Sequence, residues 1–384
     1  MKNSLLIILL VISISCSRSE NFKVINLHDI SKNGDCQTIP LDSIVAGTEI
    51  IELDNSEKAP IIGVISSLYE SDWSFYIVSD GKFVYEYDKT GKFIRQIGTQ
   101  GRGPGEYLSI DGISVNDKDS SINLFDFPSQ RLLKYNRNGN YLSYYKPHFK
   151  DTLLYLQSFY PYKDSLLFYT SNNSSRMDLF LFNDSVGDMD VISKKERDML
   201  PGEMILSNVY IYGKKQNPFI YNYFNDTIFI LKNKKLVPTM LARIGNMRID
   251  YDVLFEEKWG NSAKSEFHMR NIVQGGDLVF FFYTISINKE RAQTKFLSLY
   301  DVSSGNYTQN VQIKDKNDSL LTIGSRDLVF QGSSTEDILV IKGLPESDKN
   351  PIIIKFKTKW ENGESSFRCC RLSVCIIVQT ATKI

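Results

Sequence analysis

The chain is short of the residues that usually announce chemistry. Only three histidines occur in 384 residues, His28, His148 and His268, and none has a second His or Cys at ligand spacing. That argues against a histidine-held zinc. Gly-x-Ser-x-Gly, His-Glu-x-x-His and Cys–His patterns are all missing, and with them the familiar hydrolase and metalloprotease machinery. Charge of one sign is missing too: 45 Lys and Arg balance 45 Asp and Glu. No basic field exists to concentrate a phosphate backbone, so no nucleic-acid partner is expected. Helical periodicity is nearly absent, whereas aromatics make up 12% of the chain and β-branched residues are plentiful. This composition predicts an all-β protein.

What is present is a repeat. The stretch from Trp73 to Ile97 returns from Ile122 to Tyr145, with Tyr87–Phe93 aligning on Tyr135–Tyr141 at an offset of 48 residues. Each copy holds a turn, Asp88-Lys89-Thr90-Gly91 or Asn136-Arg137-Asn138-Gly139, of residues that tolerate the positive φ of hairpins. A repeat of this length made of short strands is the mark of a propeller blade, which buries both faces only when neighbours stack around an axis. Weaker copies lie near 153–186, 205–244, 272–313 and 324–358, which makes six. The lone strand Thr48–Leu53 is expected to complete the last blade and join chain start to chain end. The fold expected is therefore an all-β, six-bladed β-propeller with four-stranded antiparallel blades, spanning residues 39–358. One stretch resists: Tyr251, Leu254, Phe255 and Trp259 fall at helical spacing and predict a short helix within 249–274.

Met1-Lys2-Asn3 followed by the apolar run Leu5–Ile14 has the form of a secretory leader. Ser15-Cys16 at its end resembles the signal of bacterial lipoproteins, which implies cleavage before Cys16, a diacylglycerol on its sulfur and attachment to a membrane. Residues 1–15 are thus read as signal and 16–38 as a polar, flexible tether. Cys36, Cys369, Cys370 and Cys375 permit two disulfides by number, but three of them crowd into Phe367–Cys375, which argues against that pairing. That tail, residues 359–384, departs in composition from all before it and is expected to be an altered terminus that packs poorly.

The segment Ile94-Arg95-Gln96-Ile97-Gly98-Thr99-Gln100-Gly101-Arg102-Gly103-Pro104-Gly105-Glu106-Tyr107 resembles the blade-to-blade junction of the six-bladed β-propeller lipoproteins of Bacteroidetes, whose repeat is akin to the NHL repeat. Ile39-Pro40-Leu41, Phe224–Phe229 and Asn350-Pro351 are weaker marks of the same family, and the similarity runs from Ile39 to Lys357. The resemblance implies a protein of the cell envelope, anchored to the outer membrane, on its periplasmic or exposed side. NHL-type lyases hold zinc with several histidines near the axis, a set this chain cannot supply. The resemblance also makes Ser43, Thr152, Ser165, Ser185, Thr227 and Ser319, each following Asp, sites where such organisms attach O-glycans; β-strand chemistry alone yields the same triplets.

A phosphate-cradling loop needs a following helix, which Pro104 and the strand-like segment after it preclude, so the glycines of 101–105 serve better as a tight crossing between blades. Arg102, Glu106 and Tyr107 beside that crossing, with Asp111 at the entry to an inner strand, are the candidate binding residues at the channel mouth. Asp80, Asp88, Asp126 and Asp301 stand at strand ends, where Asp commonly closes a turn. No catalytic residue or cofactor is assigned, with calcium on the axis kept open. The expected activity is non-catalytic binding of a glycan, peptide or partner protein; the rival is a lyase or glycoside hydrolase using carboxylates across the channel. Trypsin is expected to trim the tail at Arg368 and Arg371 while the propeller resists; survival of the tail under limited proteolysis contradicts its poor packing.

Overall fold

All six residues of Ser74–Ser79 and all five of Ile122–Asp126 are buried. Strands with no solvent-facing side need a covering layer on both. The computed structural model supplies those layers as six four-stranded sheets around one axis, a six-bladed β-propeller. It describes residues 23–27, 37–116, 118–150, 152–170, 177–183, 188–194, 209–213, 215–222, 225–247, 265–287, 293–314, 328–331, 337–342 and 349–358. The cysteines, the leader and the tail after residue 358 lie outside these residues.

Counting outward from the axis, blade 1 consists of Ile65–Glu70, Ser74–Ser79, Phe83–Asp88 and Phe93–Gln96, and blade 2 of Ile110–Val115, Ile122–Asp126, Arg131–Tyr135 and Tyr141–Tyr145. Blade 3 is Leu156–Tyr162, Ser165–Thr170, Met177–Asn183 and Asp188–Lys194. Blade 4 is Val209–Gly213, Pro218–Asn222, Asn225–Lys232 and Lys235–Arg243. Blade 5 is Ser265–Gly275, Leu278–Ile287, Gln293–Asp301 and Tyr307–Thr308. Blade 6 is Leu328–Gln331, Asp337–Lys342, Ile352–Thr358 and, out of sequence, Val45–Glu52. The hydrophobic core is divided among the blade interfaces. Tyr76, Val84, Leu124 and Tyr135 fill the space between blades 1 and 2, Phe125 and Phe168 that between 2 and 3, and Ile51, Phe75, Leu339 and Ile353 that between 6 and 1.

The repeat seen in the sequence comprises the second, third and fourth strands of blades 1 and 2, and its turns are as expected. Asp88 and Asn136 each accept the turn N–H of Gly91 or Gly139, whose φ is +89° or +80°. The lone strand also takes its expected place: Val45–Glu52 pairs antiparallel with Ile352–Thr358, Ile51 opposite Ile353. Asn350, 5% exposed, seals the joint. Its Oδ1 accepts the Ile62 N–H at 2.8 Å, its Nδ2 donates to the carbonyls of Asp54 and Pro60 at 2.7 and 2.9 Å, and its own N–H donates to Asn55 Oδ1 at 2.6 Å. Nearby, the buried Glu70 carboxylate of blade 1 accepts Lys89 Nζ at 2.6 Å and Lys355 Nζ of blade 6 at 2.8 Å, and Lys355 also pairs with Asp337.

Two expectations need correction. The span read as a tether to residue 38 is docked where the structure describes it: Lys23–Asn26 adds a parallel fifth strand to the outer edge of blade 4, and Gln37–Pro40 pairs with Val311–Lys314 beside blade 5. Ile25 and Leu27 are fully buried there. The alternating apolar residues of these short strands are too few to stand out among polar neighbours. The helix expected within 249–274 gives way at 265–274 to the inner strand of blade 5; residues 248–264, with Trp259, lie outside the described residues. A break in register at Arg270 interrupts the two-residue alternation of Phe267, Met269 and Ile272, which disguised the strand.

Replacing Asn350 with Ala strips partners from one N–H and two carbonyls at the joint, and is expected to cost about 3 kcal/mol in urea unfolding. Asn350→Asp keeps the acceptor but turns an anion toward two carbonyls, so it is expected to be nearly as damaging; a loss below about 0.5 kcal/mol for both contradicts the role of this side chain.

Candidate binding site at the channel mouth

An inner strand of a propeller is covered on both faces by neighbouring blades and on one edge by its own second strand. A side chain exposed on it faces the axis or its mouth. Among the described residues the inner strand breaks register in four blades, inserting one extra residue: Ser66 between Ile65 and Ser67, Asp111 between Ile110 and Gly112, Gln157 between Leu156 and Ser158, and Arg270 between Met269 and Asn271. The four breaks are equivalent, each four residues before the position paired across the first hairpin at Glu70, Val115, Pro161 or Gln274. Such bulges re-aim side chains and recur beside functional sites. Before the breaks, Ile110, Leu156 and Met269 are buried and Ile65 half-buried, whereas Ser66, Asp111 and Arg270 are exposed and Gln157 half-exposed.

Blades 2 and 5 are opposite in a ring of six, so the Asp111 carboxylate and the Arg270 guanidinium flank the axis from opposite sides. Arg270 Nε donates to Thr284 Oγ1 at 3.1 Å, which fixes one edge of the guanidinium. Tyr210 and Tyr212 of blade 4 stack beside it at 6.1 Å, with Tyr212 donating its hydroxyl to the Met269 carbonyl at 3.2 Å. Burial raises the Tyr210 hydroxyl above its ordinary value, and the positive charge of Arg270 opposes that rise. Val64 and Tyr155, each two residues before a break, are 74% and 44% exposed and give the rim an apolar element.

The four candidates read from the sequence separate in space and role. Arg102 and Asp111 are exposed. Glu106 folds back on its own loop, where Oε2 accepts the Gly103 N–H at 2.7 Å; a Cβ on Gly101 would lie 2.0 Å from that oxygen. Tyr107 is fully buried between blades 1 and 2, its hydroxyl donating to the Ile97 carbonyl at 3.1 Å, so its ring offers no surface to a ligand. Its hydroxyl is pushed well up by burial. The glycine-rich crossing is thus a braced structural joint. Buried Asp126 extends the bracing by accepting the N–H groups of Leu108 and Ser109 and pairing with Arg131 at 2.9 Å.

Trp73 also packs, donating its indole N–H to Tyr76 Oη at 3.1 Å beneath the Arg137 guanidinium. Asp80 accepts the Val64 N–H, Asp88 those of Thr90 and Lys92, and Asp301 those of Ser303 and Ser304. Among the described residues no three His, Cys, Asp or Glu side chains come together as a metal-binding group.

A family profile described as a domain of unknown function (DUF4934) matches residues 22–357. No curated protein matches the chain. Among solved structures, a Bacteroides fragilis protein described as exported is 17% identical with a TM-score of 0.60, over 88% of this chain and 99% of that one. A member of the DUF4221 family from Bacteroides vulgatus is 10% identical with a TM-score of 0.50, over 82% and 97%. Virginiamycin B lyase of Staphylococcus aureus, solved with quinupristin, is 10% identical over 81% and 99% with a TM-score of 0.42, too low to carry an argument. These similarities bear on the fold.

The turn carboxylates make acid sensitivity predictable. Burial alone raises Asp88 and Asp301, but hydrogen bonds from Thr90 and Lys92, and from Ser303 and Ser304, outweigh it and hold both below the ordinary 3.8. A depressed folded value adds stability that is fully present above 3.8 and lost as pH falls through the folded value. Urea midpoints are expected to hold level down to about pH 4 and fall below it, more shallowly in Asp88→Asn; an equal fall in that variant contradicts the assignment of Asp88.

Proposed function

The chain belongs to the family defined by the domain of unknown function DUF4934, and from that membership and the geometry of the mouth we propose that it is an exported, lipid-anchored propeller that binds a glycan, peptide or partner protein without transforming it. The reading is carried by one observation: the same register break on four inner strands presents unlike groups, a hydroxyl, a carboxylate, an amide and a guanidinium. Varied polar groups under an apolar rim suit recognition. Acid–base hydrolysis of a glycoside instead asks for two carboxylates facing each other, and these four positions hold one. Export is supported by the description of the Bacteroides fragilis protein that shares the fold.

The anchor is Cys16. Lys23, where the docked strand begins, lies seven residues on, a span of at most about 25 Å. A lipid on Cys16 therefore keeps the outer edge of blade 4 close to the membrane.

The test is array screening of the mature protein against glycans and peptides, followed by titration of the strongest binder. Arg270→Ala and Asp111→Asn are each expected to weaken it at least about tenfold with the fold intact. Unchanged affinity in both variants rejects the site, and polysaccharide turnover abolished by Asp111→Asn rejects the binding-only reading. In cells, Cys16→Ala is expected to move the protein from the membrane to the soluble fraction; retention in the membrane contradicts the anchor.

A further inference from the structure

At the opposite end of the inner strands, where the first hairpins of blades 2, 3 and 4 meet, a small recess of about 10 Å³ opens to solvent. Ser114 and Asn123, directly paired across the first two strands of blade 2, line its wall. They are 1% and 2% exposed, and Ser114 Oγ and Asn123 Oδ1 have no hydrogen-bond partner. Lys163, Asp164 and Lys215 from the next two hairpins form the rim. That rim is tied down: Lys163 N–H donates to the Lys215 carbonyl at 3.2 Å, Lys163 holds a left-handed φ of 52°, and Asp164 pairs with Lys118 of blade 2 at 2.9 Å.

Buried polar atoms left bare are destabilising, so a blade interface that keeps two of them is expected to give them partners from outside the chain. Their chemistry selects among partners. Asn123 Oδ1 needs a donor, whereas Ser114 Oγ can give or take. A carboxylate or phosphate would satisfy the lysines but turn a negative oxygen toward Asn123 Oδ1 and Asp164. A hydroxyl serves both buried atoms at once, and a second hydroxyl on the adjacent carbon can reach the mixed lysine and aspartate rim. The closed depth admits about one water-sized group, with the remaining space at the open mouth.

We propose that this cavity is a second binding site, independent of the channel mouth, that takes a vicinal diol of a pyranose sugar, one hydroxyl inserted between Ser114 and Asn123 and the sugar ring held at the lysine rim.

Glucose, galactose, mannose and fucose are titrated separately into the isotope-labelled mature protein, with glycerol and acetate as comparisons, and amide shifts are followed by NMR. At least one pyranose is expected to saturate, moving residues 114–123 and 161–166 and leaving Ser66, Asp111 and Arg270 still. Ser114→Val and Asn123→Leu are expected to reduce that affinity about tenfold or more, with thermal unfolding checking that both remain folded. The shift map needs no variant, so a variant that fails to fold leaves the proposal testable. It is overturned if no sugar saturates and the cavity holds water only, if acetate binds there in preference, or if the shifts centre on the channel mouth.

Discussion

A ring of sheets is stable only if its last member meets its first, because each open blade face exposes apolar surface and each outer edge exposes unpaired backbone. Here the constraint falls on one stretch of chain. Val45–Glu52 supplies the outer strand of blade 6 before the chain enters blade 1, so the first and last blades share a covalent connection as well as an interface. Asn350 and the Glu70–Lys355–Asp337 cluster then fix the angle at which the two blades meet. Upstream, Lys23–Asn26 and Gln37–Pro40 cover the edges beside blades 4 and 5, so the N-terminal strands meet blades 4, 5 and 6 in turn. Backbone pairing and burial of Ile25 and Leu27 make it part of the fold.

Closure also gives the axis its chemistry. With six blades locked, the inner strands have no freedom to splay, and an extra residue on one of them must turn toward the axis. The four breaks use this consistently. Apolar residues before and after each break stay in the blade interfaces, while Ser66, Asp111, Gln157 and Arg270 emerge between them. Asp88, Asp126 and Asp301, by contrast, spend lone pairs on turn and loop N–H groups. The glycine-rich crossing, the most conspicuous motif in the chain, is likewise architectural, because Glu106 and Tyr107 turn inward to hold it.

Architecture was legible in the sequence because it rests on period and turn chemistry, which are local. Tyr87–Phe93 and Tyr135–Tyr141 declared two blades, and Thr48–Leu53 declared the closing strand by lacking a neighbour to pair with. The site was less legible. Exposure around an axis depends on register between strands far apart in sequence, and a bulge erases the alternation by which a strand is recognised. A trace was nevertheless present: Ile65-Ser66-Ser67-Leu68, Ile110-Asp111-Gly112-Ile113, Leu156-Gln157-Ser158-Phe159 and Met269-Arg270-Asn271-Ile272 share one pattern, two polar or small residues between two apolar ones. Of its members only Asp111 was singled out, since the glycine-rich segment drew attention to its neighbourhood. Tyr107 misled for the opposite reason, a large aromatic beside a loop whose burial only the packing of two blades reveals.

Hydrogen exchange of the native protein tests the closure most directly. If the ring is held shut by its N-terminal strand, the amides of Val45–Glu52 exchange as slowly as those of Ile352–Thr358, and both exchange in step with the central strands of blades 1 and 2. Rapid exchange across Val45–Glu52 while those central strands stay protected would show a ring that stands without its clasp, and would contradict the account.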